Sequence, residues 1–145
     1  MLELVTGGSG SGKSAYAEEH ICRIHRILSR KAGRKLPLFY IAAMIPRGEE
    51  TLRKIERHRK MRETRGFQTL EWYTDIAGKI REKSLPENAC VLLECLSNLP
   101  ANEIYEPEGA GENAADAVTE GVRMLKDSCA AVVLVTNEVF SEVPS

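Results

Sequence analysis

The residues best suited to chemistry lie near the amino terminus, where Gly7–Ser14 has the sequence GGSGSGKS. This segment satisfies G-x-x-x-x-G-K-[ST], a pattern whose glycines let successive backbone N–H groups turn toward phosphate oxygens. In such a loop Lys13 reaches the β- and γ-phosphates, and the Ser14 hydroxyl ligates Mg²⁺. A flexible glycine-serine turn is the alternative, but it does not account for the Lys-Ser pair. The predicted nucleotide-binding residues of the loop are Gly7, Gly8, Ser9, Gly10, Ser11, Gly12, Lys13 and Ser14.

A phosphate loop of this kind works with a carboxylate at the end of a neighbouring strand. Glu94 ends the apolar run VLLE and is the natural candidate. It would hold Mg²⁺ or its bound water, or polarise an attacking hydroxyl. A solvated carboxylate at a strand end is the alternative interpretation. The sequence therefore predicts Ser14 and Glu94 as the metal-binding residues, and Lys13 and Glu94 as catalytic ones.

The third candidate is a basic segment, Leu52–Arg65, with seven Arg or Lys residues against two Glu. His58 lies within it, and Lys54 and Arg62 lie four residues away on either side, which places all three on one helical face. Nearby cations favour a neutral imidazole, and a neutral imidazole is a nucleophile. From periodicity alone, a solvated basic helix with an incidental histidine is the favoured interpretation. His20 and His25 lack such surroundings and are predicted to be surface or hydrogen-bonded histidines.

These residues are positioned by alternating strands and helices. Apolar runs predict five strands, and amphipathic or capped segments between them predict helices. The predicted strands are Leu2–Thr6, Leu36–Met44, Gln68–Tyr73, Ala89–Cys95 and Ala131–Thr136. The predicted helices are Lys13 to about Arg30, Glu49–Arg65, Asp75–Lys83 and Glu112–Cys129. This order indicates right-handed crossovers, a mostly parallel sheet and an α/β three-layer sandwich of the P-loop NTPase type.

Two segments depart from this regularity. Ser97–Gly111 contains two prolines, two glycines and several acids, and is predicted to be a long functional loop. Asn137–Ser145 follows the fifth strand without a covering helix. The fold is therefore expected to be truncated at the carboxyl terminus of the chain. Apolar strand surface left uncovered there would favour self-association, and a homo-oligomer is expected.

The composition limits the other functions. With 145 residues, 43% of them hydrophobic and 28% charged, the chain is predicted to form one domain, residues 1–145, with a real core. A net charge of −1, and a basic helix without interleaved aromatics, argue against a nucleic-acid partner. No apolar run is long enough to span a membrane. The four cysteines have no zinc spacing and are predicted to be reduced thiols in a cytoplasmic protein.

Six segments together resemble the bifunctional adenosylcobinamide kinase / adenosylcobinamide-phosphate guanylyltransferase family of cobalamin biosynthesis. They occur in the family's order across nearly the whole chain. The I-x-x-H-R element, the L-L-E-C strand and the V-T-N-E-V strand make the resemblance specific. The matching segments are Leu4–Ser14, Tyr40–Ala42, Lys54–Arg62, Thr69–Glu71, Val91–Asn98 and Val132–Val139.

The resemblance implies two reactions. ATP or GTP would phosphorylate the aminopropanol hydroxyl of adenosylcobinamide, and GMP would then pass from GTP to that phosphate, giving adenosylcobinamide-GDP. The second reaction would proceed through a guanylylated histidine, a role that falls on His58. The family pattern adds Arg59, Arg62 and Glu71 to the nucleotide-binding residues. Mg²⁺ would be the cofactor, and the nucleotides, adenosylcobinamide and its phosphate the partners.

Two departures and two alternatives stand beside this resemblance. Family members continue past V-T-N-E-V with a helix and a last strand, and many carry a helical Thr- and Asn-containing stretch at Leu99–Gly111. One alternative is another P-loop small-molecule kinase, which would need no guanylylated histidine. The other is a non-catalytic nucleotide-binding module.

The phosphate loop generates the first prediction. Lys13→Ala should abolish tight binding of nucleoside triphosphates, because a charge-assisted contact to phosphate is lost. The expected cost is about 1.5–3 kcal/mol, or tenfold or more in affinity. Calorimetry with GTP measures it, and an unchanged dissociation constant would refute the assignment of the loop.

Overall fold

A computed structural model describes residues 1–7 and 12–137 of the chain. It contains strands and helices in alternation, with a short 3₁₀ turn, Gly111–Asn113, before the last helix. The strands are β1 (Leu2–Gly7), β2 (Leu38–Ala42), β3 (Gln68–Glu71), β4 (Cys90–Glu94) and β5 (Ala131–Asn137). The helices are α1 (Lys13–Ala32), α2 (Glu49–Glu63), α3 (Ile76–Arg81), α4 (Asn98–Tyr105) and α5 (Ala114–Ser128).

The described strands form one sheet in the order β1-β5-β4-β2-β3, and every pairing in it is parallel. Alternate residues of each inner strand face opposite sides, so a strand covered on both faces is apolar throughout. Val91 and Leu93 of β4 pack in the core beneath α3, α4 and α5, whereas Cys90 and Leu92 pack against α1. The predicted three-layer α/β fold of the P-loop NTPase type is confirmed.

Parallel pairing places the carboxyl ends of the strands at one edge of the sheet. Ala42 of β2 is the register partner of both Glu71 in β3 and Glu94 in β4, and Gly7 in β1 is the partner of Asn137 in β5. Ligands of open α/β sheets bind outside this edge. The fold thereby gathers the ends of all five strands where the predicted phosphate loop begins.

The predicted loop Ser97–Gly111 is wrong over its first half, which forms α4. Pro100 suggested a loop, but it lies in the first turn of the helix, where backbone N–H groups have no intrahelical acceptor to lose. The helix is held in place by buried polar groups. Asn102 Nδ2 donates to the Ala43 carbonyl at 2.8 Å, and the buried Glu103 carboxylate accepts from the backbone N–H groups of Asp75 and Ala110.

The expectation of uncovered surface at the fifth strand is also wrong. β5 lies between β1 and β4, and Ala131 to Val135 are buried. The edge strands of the described sheet are β1 and β3, and on β1 the Leu4 side chain is 56% exposed. Self-association stays a prediction, and the exposed apolar side chain makes β1 the edge to test.

Leu4→Lys should therefore reduce any self-association of the chain, because a charge on an edge strand opposes strand pairing. Light scattering across a concentration series measures the average mass. Ile27→Lys is the matched control, since Ile27 is an equally exposed apolar residue on α1. A wild-type chain that stays monomeric at high concentration would contradict the prediction, as would equal association of the two variants.

Candidate active site

The two ends of the phosphate loop lie where the sequence predicts them. Gly7 ends β1 at the carboxyl edge of the sheet, and Lys13 and Ser14 begin α1. Gly12 precedes the helix with φ at 82°, a left-handed conformation that favours glycine. The first turn of α1 therefore directs its positive dipole end toward this edge. The predicted residues Gly8, Ser9, Gly10 and Ser11 lie outside the described residues.

The Glu94 carboxylate, at the end of β4, is the meeting point of the site. One oxygen, Oε2, accepts a short hydrogen bond from the Ser14 hydroxyl. The other, Oε1, accepts from the Tyr40 hydroxyl at 3.1 Å. The structure thus brings the two predicted metal-binding residues into direct contact, from segments 80 positions apart in sequence.

A hydroxyl and a carboxylate are oxygen donors of the kind that Mg²⁺ prefers. Within the described ranges no group of three or more His, Cys, Asp or Glu side chains could hold a metal ion. Mg²⁺ usually takes one or two protein ligands and completes its shell with water and phosphate oxygens. The contact between the Ser14 hydroxyl and the Glu94 carboxylate fits that requirement, and these two residues would hold the ion.

His58 lies on α2 and is partly buried beside the same carboxylate. Burial lowers the pKa of its imidazole below the usual value, and the charges of Arg62, Lys54 and Arg57 lower it further. The negative charge of Glu94 opposes this shift. The direction agrees with the prediction from sequence, although desolvation, which the sequence does not reveal, is the largest cause.

Arg62 is buried beneath this region, with only 3% of its surface exposed. Its guanidinium carbon lies 3.4 Å from the centre of the Tyr40 ring, a close cation–π contact. Its Nε and Nη1 atoms form no hydrogen bond within the described part of the chain. Glu18 is also buried, and burial raises the pKa of its carboxyl against the influence of Arg62 and Arg65. A buried cation with unused donors is suited to an anionic ligand.

Most of the candidate site residues line one pocket of about 200 Å³. Lys13, Ser14, His58, Arg62 and Glu94 all line it. A broader cleft of about 680 Å³ shares Lys13, Ser14 and His58 and extends along the start of α1. Apolar side chains complete the smaller pocket, namely Tyr40, Ala42, Met44, Pro46, Leu52, Ile55 and Tyr73. His58 therefore lines two spaces that share residues, one partly apolar and the other beside the start of α1.

Arg59 and Glu71 line the same pocket but pair with each other. Arg59 Nη2 donates to Glu71 Oε1 at 3.2 Å, and about half of each side chain is exposed. Such an exposed ion pair contributes little to stability. Both predicted nucleotide-binding residues thus lie at the rim, joining α2 to the end of β3.

His20 and His25 have hydrogen-bond partners, as predicted for histidines outside the site. His25 is buried, and its Nε2 lies 2.7 Å from the Leu36 carbonyl, while His20 pairs with Glu3.

Tyr40 and Glu18 were missed as members of the site. Tyr40 belongs to the matched segment YIA, but its contact with Glu94 follows from β2 lying beside β4, which the order of elements along the chain does not reveal. Glu18 is one helical turn after Ser14, and that spacing could have indicated it.

The fold defines the class: an α/β protein of the P-loop NTPase type, in which the start of α1, Glu94 and His58 meet at the carboxyl edge of the sheet. The family model for cobinamide kinase / cobinamide phosphate guanyltransferase, CobU, matches residues 3–145, and the chain belongs to this family. It is therefore an enzyme of the transferase class in cobalamin biosynthesis.

Two curated relatives are similar over most of the chain. The bifunctional adenosylcobalamin biosynthesis protein CobU of Escherichia coli strain K12 is 33% identical over 150 residues, covering 96% of this chain and 76% of the relative. The protein of the same name from Salmonella typhimurium strain LT2 is 31% identical with the same coverage.

Among the helices that the structure describes, none is long and apolar enough to cross a membrane. The four cysteines, all within the described ranges, are free thiols, as predicted.

Glu94→Gln should impair phosphoryl transfer far more than nucleotide binding. The amide keeps the shape of the side chain but loses the negative charge that faces Ser14 and Tyr40. We expect turnover to fall by about a hundredfold or more while the affinity for GTP changes little. Steady-state kinetics and calorimetry on the same preparation measure the two quantities.

Glu112→Gln is the matched control, because Glu112 is an exposed carboxylate in the 3₁₀ turn. It should leave both quantities unchanged. Equal losses of binding and turnover in Glu94→Gln would instead assign Glu94 a structural role.

Proposed function

We propose that this chain phosphorylates adenosylcobinamide with ATP or GTP and then transfers GMP from GTP to adenosylcobinamide phosphate through a guanylylated His58. The observation that supports this most strongly is that one pocket contains both Lys13 and Ser14 of the phosphate loop and a histidine with a lowered pKa. A P-loop kinase needs only the first of these. The family membership supplies the substrates, and the cytoplasm is the proposed location.

In the phosphorylation step, the chain binds and orients. Lys13 and the N–H groups at the start of α1 would hold the phosphates of the nucleotide. Glu94 lies across from Ser14 and would accept the proton of the attacking hydroxyl at one of its oxygens. Mg²⁺, bound by Ser14 and Glu94 together with the nucleotide, would supply charge neutralisation at the phosphates.

In the guanylyl step, a neutral imidazole nitrogen of His58 would attack the α-phosphorus of GTP. The N–P bond forms as the bond to the pyrophosphate oxygen breaks, and the electron pair leaves with pyrophosphate. A phosphate oxygen of adenosylcobinamide phosphate would then attack the same phosphorus, and the N–P bond breaks to return the imidazole. The buried Arg62 and the nearby Lys54 would stabilise the charge that develops on the phosphate oxygens.

The direct test is transfer of label to the protein. With GTP labelled at the α-phosphate the chain should become labelled, whereas GTP labelled at the γ-phosphate should leave it unlabelled. The product is a phosphoramidate, so the label should be lost in acid and kept in base. His58→Ala should take no label and still bind GTP, because the phosphate loop is intact.

The matched control is His20→Ala, which removes a histidine paired with Glu3 outside the pocket and should keep the label. The labelling rate should stay constant from pH 7 upward and fall only well below about pH 6.5, because a lowered pKa keeps His58 neutral at neutral pH. A folded chain that binds GTP and phosphorylates the substrate but takes no label would reduce the function to that of a kinase.

A further inference from the structure

Tyr40 contacts two residues of the site, Glu94 through its hydroxyl and Arg62 through its ring. Its hydroxyl donates to Glu94 Oε1 at 3.1 Å, and its ring face carries the guanidinium of Arg62 at 3.4 Å. The residue is almost fully buried, in the core layer on the α1 side of the sheet. Rigid packing of this kind fixes both contacts at once.

We propose that Tyr40 is a positioning residue that aligns the Glu94 carboxylate through its hydroxyl and the His58 helix through the stacked Arg62. The proposal rests on the proposed function, and it assigns separate tasks to the two ends of one side chain. The hydroxyl serves the phosphorylation step, and the ring serves the guanylyl step.

The hydroxyl is suited to its task because the sheet fixes it beside the carboxylate. Tyr40 pairs in register with Leu92, so its side chain lies on the same face of the sheet as that of Glu94, two residues further along β4. A hydrogen bond from a fixed donor restricts the rotation of the carboxylate, so that its other oxygen faces Ser14.

The ring is suited to its task because few other contacts hold α2 against the sheet. Among the α2 side chains that the structure describes, Arg62 alone is buried. The described residues of α2 pack only weakly against the other helices and strands. Arg62 and His58 are four residues apart, one above the other on the same face of α2. Holding Arg62 against Tyr40 therefore sets the depth at which His58 enters the pocket.

Two substitutions separate the tasks. Tyr40→Phe keeps the ring and removes the hydroxyl. It should lower kcat for phosphorylation about tenfold with little change in KM for the nucleotide, and leave the rate of His58 labelling unchanged. Tyr40→Leu removes the ring as well, and should lower both the phosphorylation and the labelling rates about tenfold or more.

The matched controls are Tyr105→Phe and Tyr105→Leu, since Tyr105 is 79% exposed on α4. Both should behave as wild type. Thermal unfolding of each variant identifies any loss of folded protein, and rates are expressed per folded molecule.

A second measurement does not depend on activity. NMR titration of the His58 ring in the free protein should give a higher midpoint in Tyr40→Leu than in wild type, because Arg62 is no longer held beside the imidazole. Tyr40→Phe keeps Arg62 stacked on the ring and should give a midpoint closer to wild type than Tyr40→Leu does. The charged groups that act on His58 in the structure are Glu94, Arg62, Lys54 and Arg57.

The outcomes distinguish the two claims. A wild-type chain without kinase or labelling activity would refute the proposed function, while the titration would still decide the role of Tyr40. A Tyr40→Leu variant with the wild-type His58 midpoint would overturn the positioning proposal. Equal losses of labelling in the Phe and Leu variants would overturn it as well.

Discussion

The carboxylate of Glu94 is the group on which the rest of the site depends. It ends an inner strand whose preceding residues are buried on both faces, so its position is fixed by the core. From there it accepts hydrogen bonds from Ser14 on α1 and Tyr40 on β2, and its charge acts on His58 on α2. Three consecutive elements, α1, β2 and α2, thereby meet the end of β4, a strand that lies further along the chain, at the carboxyl edge of the sheet.

Two opposing electrostatic demands meet around this carboxylate. Phosphate chemistry needs cations, yet a nucleophilic imidazole must remain uncharged. Partial burial of His58 is the largest cause of its lowered pKa, and Arg62, Lys54 and Arg57 lower the pKa further against the opposing charge of Glu94. The cations that assist burial in keeping the imidazole neutral would also receive phosphate charge. In the proposed function, this arrangement would let phosphorylation and guanylyl transfer share one pocket.

Much of this could be predicted from sequence because the signals are local. The phosphate loop, the apolar strands and the helical spacing of Lys54, His58 and Arg62 are all short-range patterns. Three other features could not be predicted. α4 was missed because Pro100 suggests a loop unless its place in the first helical turn is known. The role of Tyr40 was missed because it depends on β2 lying beside β4, and β5 was expected to be uncovered because the order of elements along the chain does not show that it lies between β1 and β4.

The central claim is that His58 and the phosphate loop serve one active site with two chemistries. Peptide mapping by mass spectrometry, after brief exposure of the folded chain to GTP and Mg²⁺ and a basic quench, tests it most directly. The account predicts a single GMP group on the peptide that contains His58, at close to one per chain, and its disappearance when adenosylcobinamide phosphate is added. GMP on another residue would contradict the account. So would an unmodified chain that is folded, binds GTP and phosphorylates adenosylcobinamide.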